Sequence, residues 1–242
     1  MDTYSSEGRS SIAKNSTTGR MTFFELVYAC RLFGNDPEYD KVREALGRNP
    51  DFASASQQES LLTFLNKWGC RIKKGAFPSL IQNLRQWASN SLLLLPAADR
   101  DIRSLTGSER EQVAKSYDDA LLNIGPRFKD TAIAKTLHAI RPRALPAWDS
   151  AIKNSFCAST NTTSQGTEGQ AYAAFISHVA NQVSILEADA NRLGLSLAEI
   201  PQIVGHPDYS LVKLVDEYYW ITITSGYTAP TRAELERWLR WI

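Results

Sequence analysis

The chain has 242 residues, 43% of them hydrophobic and 22% charged, with a formal net charge of +1. That length suits one large domain or two small helical lobes sharing a cleft, and the composition excludes a disordered chain. No apolar run approaches the roughly 20 residues that cross a bilayer, and the near-neutral total does not by itself announce a binder of polyanions.

Residues 1–20 are rich in Ser, Thr, Gly and Asn, show no periodicity and carry no apolar signal core, so they read as a flexible tail. Residues 21–242 read as a single helical domain. An apolar stripe over 21–33 predicts a first helix ending near Gly34, and 40–46 predicts a short second one stopped by Gly47. Residues 60–68 predict a third, with Gly69 as its stop. Pro78 suits the first turn of a helix over 79–88. Ser108 with Glu111 has capping-box spacing and opens a helix to 122. Helices follow over 131–140 and 149–156, then a polar loop over 159–169, then helices over 170–193, 196–204, 209–222 and 231–242. Few segments alternate strictly. The expected class is all-α with little or no sheet.

Cys30, Cys70 and Cys157 are scattered and odd in number, which predicts reduced thiols and a cytoplasmic protein. They cannot fill a four-cysteine iron–sulfur site, and no cofactor is expected. His178 and His206 lack metal-ligand spacing, so no metal is expected either. His138, inside the 131–140 helix, reads first as a core or interface residue and second as a catalytic one.

Charge distribution says more than net charge. Residues 61–98 contain no acid, against Lys67, Arg71, Lys73, Lys74 and Arg85. Residues 121–153 set six basic side chains against only Asp130 and Asp149. Either these segments form one positive face for a polyanion, or they are solvated helix faces balanced by acids from elsewhere. Asn66 and Gln82 have the same two readings, a contact to a base edge or an ordinary surface role.

The stretch LNIGPRFKDTAIAKTLHAIRPRALPAWDSAI, residues 122–152, carries the functional argument. A Gly-Pro turn at Gly125 leads into a helix opening at Asp130-Thr131. Backbone N–H groups and the positive dipole end at such a helix start make a phosphate site, to which Arg127 and Lys129 add charge. A connector holding Pro142 and Pro146 then cannot continue the helix. It delivers Asp149 to a helix N-cap, where backbone N–H groups keep a carboxylate ionised.

On Leu122, Ile124-Gly125, Thr131-Ala132, Pro146 and Asp149, this segment resembles the helix-hairpin-helix DNA glycosylases. That group contains endonuclease III, the adenine glycosylase and the 8-oxoguanine glycosylases. A weaker likeness to bacterial proteins of the 8-oxoguanine-glycosylase fold runs through Phe64 to Arg71. The resemblance implies a two-lobed helical fold with the hairpin and catalytic carboxylate in residues 108–156, and a DNA cleft. It implies double-stranded DNA with a modified base as partner, and a monomeric protein with no membrane association. Asp149 is then the catalytic carboxylate, and Gly125, Arg127, Lys129, Arg71, Lys73 and Lys74 are DNA contacts. Trp148, Trp68, Phe128 and Asn35 are candidates for the base pocket, each with a core or turn role as its simpler reading.

The chain departs from the pattern at one telling place. Bifunctional members carry a lysine just before the Thr-Ala pair, where this chain has Asp130; Lys129 and Lys135 are the nearest substitutes. A one-residue shift turns a helical side chain by about 100°, so a monofunctional enzyme that leaves an abasic site is expected. The hairpin also lacks the first of the two usual glycines. The resemblance leaves three functions open. One is removal of hypermodified bases such as glucosylated hydroxymethylcytosine, the task of related antiphage proteins. The others are oxidised-purine repair and DNA binding without catalysis.

Overall fold

A computed structural model describes residues 20–160, 166–228 and 230. Its order is α1 (Phe23–Phe33), α2 (Pro37–Leu46), α3 (Ala55–Lys67), α4 (Phe77–Ser91), α5 (Gly107–Asn123), α6 (Asp130–Ile140), α7 (Ser150–Thr160), α8 (Glu168–Arg192), α9 (Ile200–Val204) and α10 (Leu211–Tyr219). The chain is all-helical, with no strand among the described residues. None of these helices is long and apolar enough to cross a membrane. The tail over 1–19 and the helix expected over 231–242 lie outside the described residues.

Helix starts follow local chemistry more closely than the apolar pattern alone suggests. Asp36 caps α2 by accepting from the Tyr39 N–H at 3.1 Å, and Pro37 takes the first turn, so α2 begins before the expected residue 40. The capping box of α5 is Thr106–Glu109, not Ser108–Glu111. Thr106 Oγ1 accepts from Glu109 N at 3.2 Å, and the Glu109 carboxylate takes the Thr106 N–H at 2.7 Å. Arg100 reaches the same carboxylate at 3.1 Å, a contact that favours the earlier start. The helix expected over 209–222 winds as α10 and then as a five-residue π turn, Trp220–Thr224.

One cluster of buried apolar side chains runs from Met21 to Tyr219. The long α8 is its axis, packed along α5 and also against α1 and α10. The α5–α8 approach is close because Gly169 has no side chain; a Cβ there would lie 2.2 Å from the Ala114 carbonyl oxygen. α6 is buried along most of its length and touches α2, α3 and α5. α1 lies against α10, so the two ends of the described chain close around α8. This closure brings residues near 35, 68, 149 and 216 to one place.

Candidate functional site

α5 and α6 form a helical pair joined by residues 124–129. The turn holds Gly125 at φ +134°, a backbone region that L side chains rarely adopt. Ile124 and Phe128 are both buried and anchor it, and the Phe128 N–H donates to the Gly125 carbonyl at 2.9 Å. From α4, Asn83 Nδ2 donates to the Ile124 carbonyl at 2.9 Å, and Leu80 packs beside Gly125. Lys129 stands at the N-cap of α6 but its side chain makes no capping bond. Arg127 and Lys129 are exposed.

The exposed Lys73 and Lys74 directly precede α4. Leu80 and Asn83 of α4 pack against the turn after α5, and Lys73 and Lys74 lie on the chain ahead of α4. Arg71, also exposed, is held at φ +54°. Asn66 sets this loop: its Nδ2 donates to the Ile72 carbonyl at 2.7 Å and its Oδ1 accepts the Ile72 N–H at 2.5 Å. Asn66 is therefore a loop brace and not a reader of base edges.

The connector after α6 is fixed at three carbonyls. His138 Nδ1 lies 2.8 Å from the Leu145 oxygen, Tyr172 Oη donates to the Pro146 oxygen at 2.7 Å, and Ser210 Oγ donates to the Pro142 oxygen at 2.5 Å. At the end of this braced segment stands Asp149. Its Oδ1 accepts the N–H groups of Ala151 at 2.8 Å and Ile152 at 2.9 Å, so it caps α7. Its Oδ2 accepts from Thr224 Oγ1 at 2.7 Å.

Asp149 lines a cavity of about 440 Å³, together with Asn35, Trp68, Lys135, Asp216 and Trp220. The size falls within the roughly 300–1,000 Å³ of small-molecule sites. Trp68 is fixed from three sides. Its ring stacks on Tyr39 at 5.8 Å, its Nε1 donates to Asp36 at 3.2 Å, and its carbonyl accepts from Lys135 Nζ at 2.5 Å. No protein-family model, curated protein or solved structure matches this chain.

Four of the expected site residues, Asn35, Trp68, Lys135 and Asp149, meet at this cavity. Two others do not. Trp148 is fully buried, edge-on to Tyr172 at 5.2 Å and tilted against Phe175 at 5.1 Å, and its Nε1 donates to Tyr117 Oη. Phe128 is buried beneath the turn. Both are core side chains, because residues flanking a tight turn or a cap are where a helical hairpin gains its packing. Lys129 does not line the cavity. Asp130, at the lysine position of the bifunctional pattern, is engaged by Lys153, which also pairs with Glu168.

Beneath the cavity floor lies a buried charge cluster that the sequence reading missed. Lys213 is fully buried, with Nζ 3.4 Å from Asp36, 3.5 Å from Asp216 and 3.2 Å from Glu217. Aromatic rings surround it: Phe33 at 4.6 Å, Trp68 at 4.9 Å and Tyr39 at 5.0 Å from the ammonium to the ring centroids. Burial works against the ammonium, but the three carboxylates outweigh it and push Lys213 above the ordinary lysine range. Burial pushes Asp216 up to about 6 and Glu217 up to about 7, against the pull of Lys213. The signal was present: Lys213, Asp216 and Glu217, at helical i, i+3 and i+4 spacing, sit in an otherwise apolar stretch.

A larger groove, of about 970 Å³, lies beyond Tyr39 and carries Arg43, Arg48, Arg103 and Arg143. Two of its arginines are already committed, Arg43 to the Asp208 carbonyl and Arg103 to Asp101 and Glu187. Asp149 does not line it.

Proposed function

We propose that this protein is a DNA glycosylase that takes a modified base into the cavity beside Trp68 and hydrolyses its N-glycosidic bond. One observation carries the reading: a carboxylate fixed by two backbone N–H groups and one hydroxyl stands at the wall of an aromatic-sided cavity of about 440 Å³, large enough to admit a base. Breaking the bond develops positive charge on the deoxyribose. Asp149, held rigidly, stabilises that charge and accepts a proton from the attacking water. A base must leave the stack to reach such a site, and Trp68 offers it a replacement stacking surface. Gly125, Arg127, Lys129, Arg71, Lys73 and Lys74 position the duplex through its phosphates without reading sequence.

The reaction is proposed to be hydrolytic, leaving an abasic site. Asp130 occupies the usual lysine position and is engaged by Lys153, and Lys135 is bonded to the Trp68 carbonyl. The cavity exceeds what a bare base fills, which favours a hypermodified base, such as glucosylated hydroxymethylcytosine in phage DNA, over an oxidised purine. The test is base release from duplexes containing 8-oxoguanine, uracil or alkylated bases and from glucosylated phage DNA, with wild type and Asp149→Asn. Release by wild type that the variant loses supports the reading and names the base. Strand breaks formed without alkali assign a lyase role to Lys135. Salt-sensitive DNA binding without release from any substrate supports a non-catalytic DNA-binding protein instead.

A further inference from the structure

Three carboxylates line the cavity, Asp36, Asp149 and Asp216, and their partners differ; Asp36 is taken up by the Tyr39 N–H, the Trp68 indole and Lys213. Asp149 is committed at both oxygens, to Ala151 and Ile152 through Oδ1 and to Thr224 through Oδ2. Asp216, nine-tenths buried on α10, also lines the cavity. Its Oδ2 lies 3.5 Å from Lys213, and neither of its oxygens accepts a hydrogen bond among the described residues. A buried carboxyl with spare hydrogen-bonding capacity beside a ligand cavity is available to the ligand.

Departure of a base from deoxyribose leaves an electron pair on the base nitrogen. Unless the base is protonated, that pair makes it a poor leaving group. Asp149 accepts hydrogen bonds at both oxygens, so it presents no O–H toward the departing base. The complementary role needs a carboxyl that retains its proton near neutral pH, and two carboxyls whose surroundings differ divide acid and base duties in this way.

Resting on the glycosylase reading above, we propose that Asp216 is the general acid that protonates the departing base. The C1′–N bond breaks and its electrons pass to the base. The Asp216 O–H proton moves to the base, leaving an Asp216 carboxylate. A water O–H bond breaks as its oxygen bonds to C1′, and that proton passes to Asp149. Asp149 then releases a proton to solvent and Asp216 takes one up, restoring both groups.

The neighbours of Asp216 are consistent with this division. Lys213 and Glu217 face it from its own helix, Cys30 from α1, Asp36 and Tyr39 from the start of α2, Lys135 from α6 and Asp149 from the head of α7. The two lysines favour its charged form; burial, Asp149 and Asp36 favour its protonated form and prevail, pushing it up to about 6. The same burial raises Glu217, but Glu217 does not line the cavity.

The experiment is single-turnover base release against pH by wild type, Asp216→Asn and Asp149→Asn. The substrates are the duplex base that wild type releases and that same base bearing a ring fluorine, which leaves more readily. General acids contribute about 10²–10⁴-fold. The wild-type rate is expected to fall tenfold per pH unit above about 6 on the parent base and to flatten on the fluorinated one. Asp216→Asn is expected to lose about 10²-fold or more on the parent base but far less on the fluorinated one, whereas Asp149→Asn loses both. Equal losses on both bases for Asp216→Asn, or an unchanged pH limb, overturn the acid role and leave the glycosylase reading intact. Wild-type profiles alone decide the matter if Asp216→Asn fails to fold. Absence of release from any duplex by wild type overturns both.

Discussion

Asp149 and Thr224 are separated by 75 residues and joined by one hydrogen bond, Thr224 Oγ1 to Asp149 Oδ2, at 2.7 Å. The carboxylate that caps α7 is thereby also tied to the π turn that ends α10. Capping and chemistry can be separated by substitution. Asn caps a helix about as well as Asp, so Asp149→Asn is expected to keep its stability within about 0.5 kcal/mol. Its base release should fall by at least about 10²-fold, the scale of losing a fixed charge-stabilising group. Thr224→Val should fall about tenfold, since the carboxylate keeps its two capping bonds and loses one orienting bond. Denaturation curves and single-turnover assays on the same preparations check both halves.

The two basic segments are expected to act as one surface. Each phosphate contact removed lowers the slope of log K against log salt by about 0.9. Lys73→Ala with Lys74→Ala, and Arg127→Ala with Lys129→Ala, should each reduce that slope by about 1–2 and weaken all duplexes alike. Binding titrations at several salt concentrations read this directly. An unchanged slope in both double variants would remove the hairpin side from the DNA path.

His138 predicts a pH dependence of stability. Burial depresses it to about 3, so the folded protein keeps it neutral, with Nδ1 against the Leu145 carbonyl. The unfolded chain binds its proton below about 6.5. The stabilisation is therefore complete above about 6.5 and is lost as pH falls from there toward 3, by up to about 1.4 kcal/mol per pH unit. The difference in urea-unfolding free energy between wild type and His138→Gln should show this slope, since the raised Asp216 and Glu217 contribute an opposite one to both proteins. Loss of the ring's packing is expected to make that variant less stable at neutral pH as well.

Lys213 holds three carboxylates that share little water. Lys213→Met fills similar space but leaves Asp36, Asp216 and Glu217 uncompensated, a loss of about 3–5 kcal/mol by analogy with other broken buried pairs. Asp216 and Glu217 are already raised to about 6 and about 7, so acid relieves the excess charge by protonating them. The variant's deficit against wild type should accordingly be smaller at pH 5.5 than at pH 8. A deficit independent of pH would mean that the cluster is neutralised by another route.

The sequence by itself determined the helices, because 3.6-residue apolar periodicity, glycine stops and caps are local signals. It also placed Asp149 at a helix N-cap, since the Pro-containing connector and the following apolar run are both contiguous. Where two capping patterns overlapped, at Thr106–Glu109 and Ser108–Glu111, local reading chose wrongly, and Arg100 lies against the box that forms. Side-chain fate was less legible. Trp68 and Trp148 look alike in sequence, yet Trp148 is enclosed by Tyr117, Tyr172 and Phe175 while Trp68 faces the cavity. Only the tertiary structure decided that the start of α2, the end of α3, the head of α7 and the face of α10 converge. The reason is physical: a buried charge such as Lys213 is tolerable only when paired, and while Asp216 and Glu217 come from its own helix, Asp36 and the surrounding rings of Phe33, Tyr39 and Trp68 become its neighbours only once distant segments have packed together.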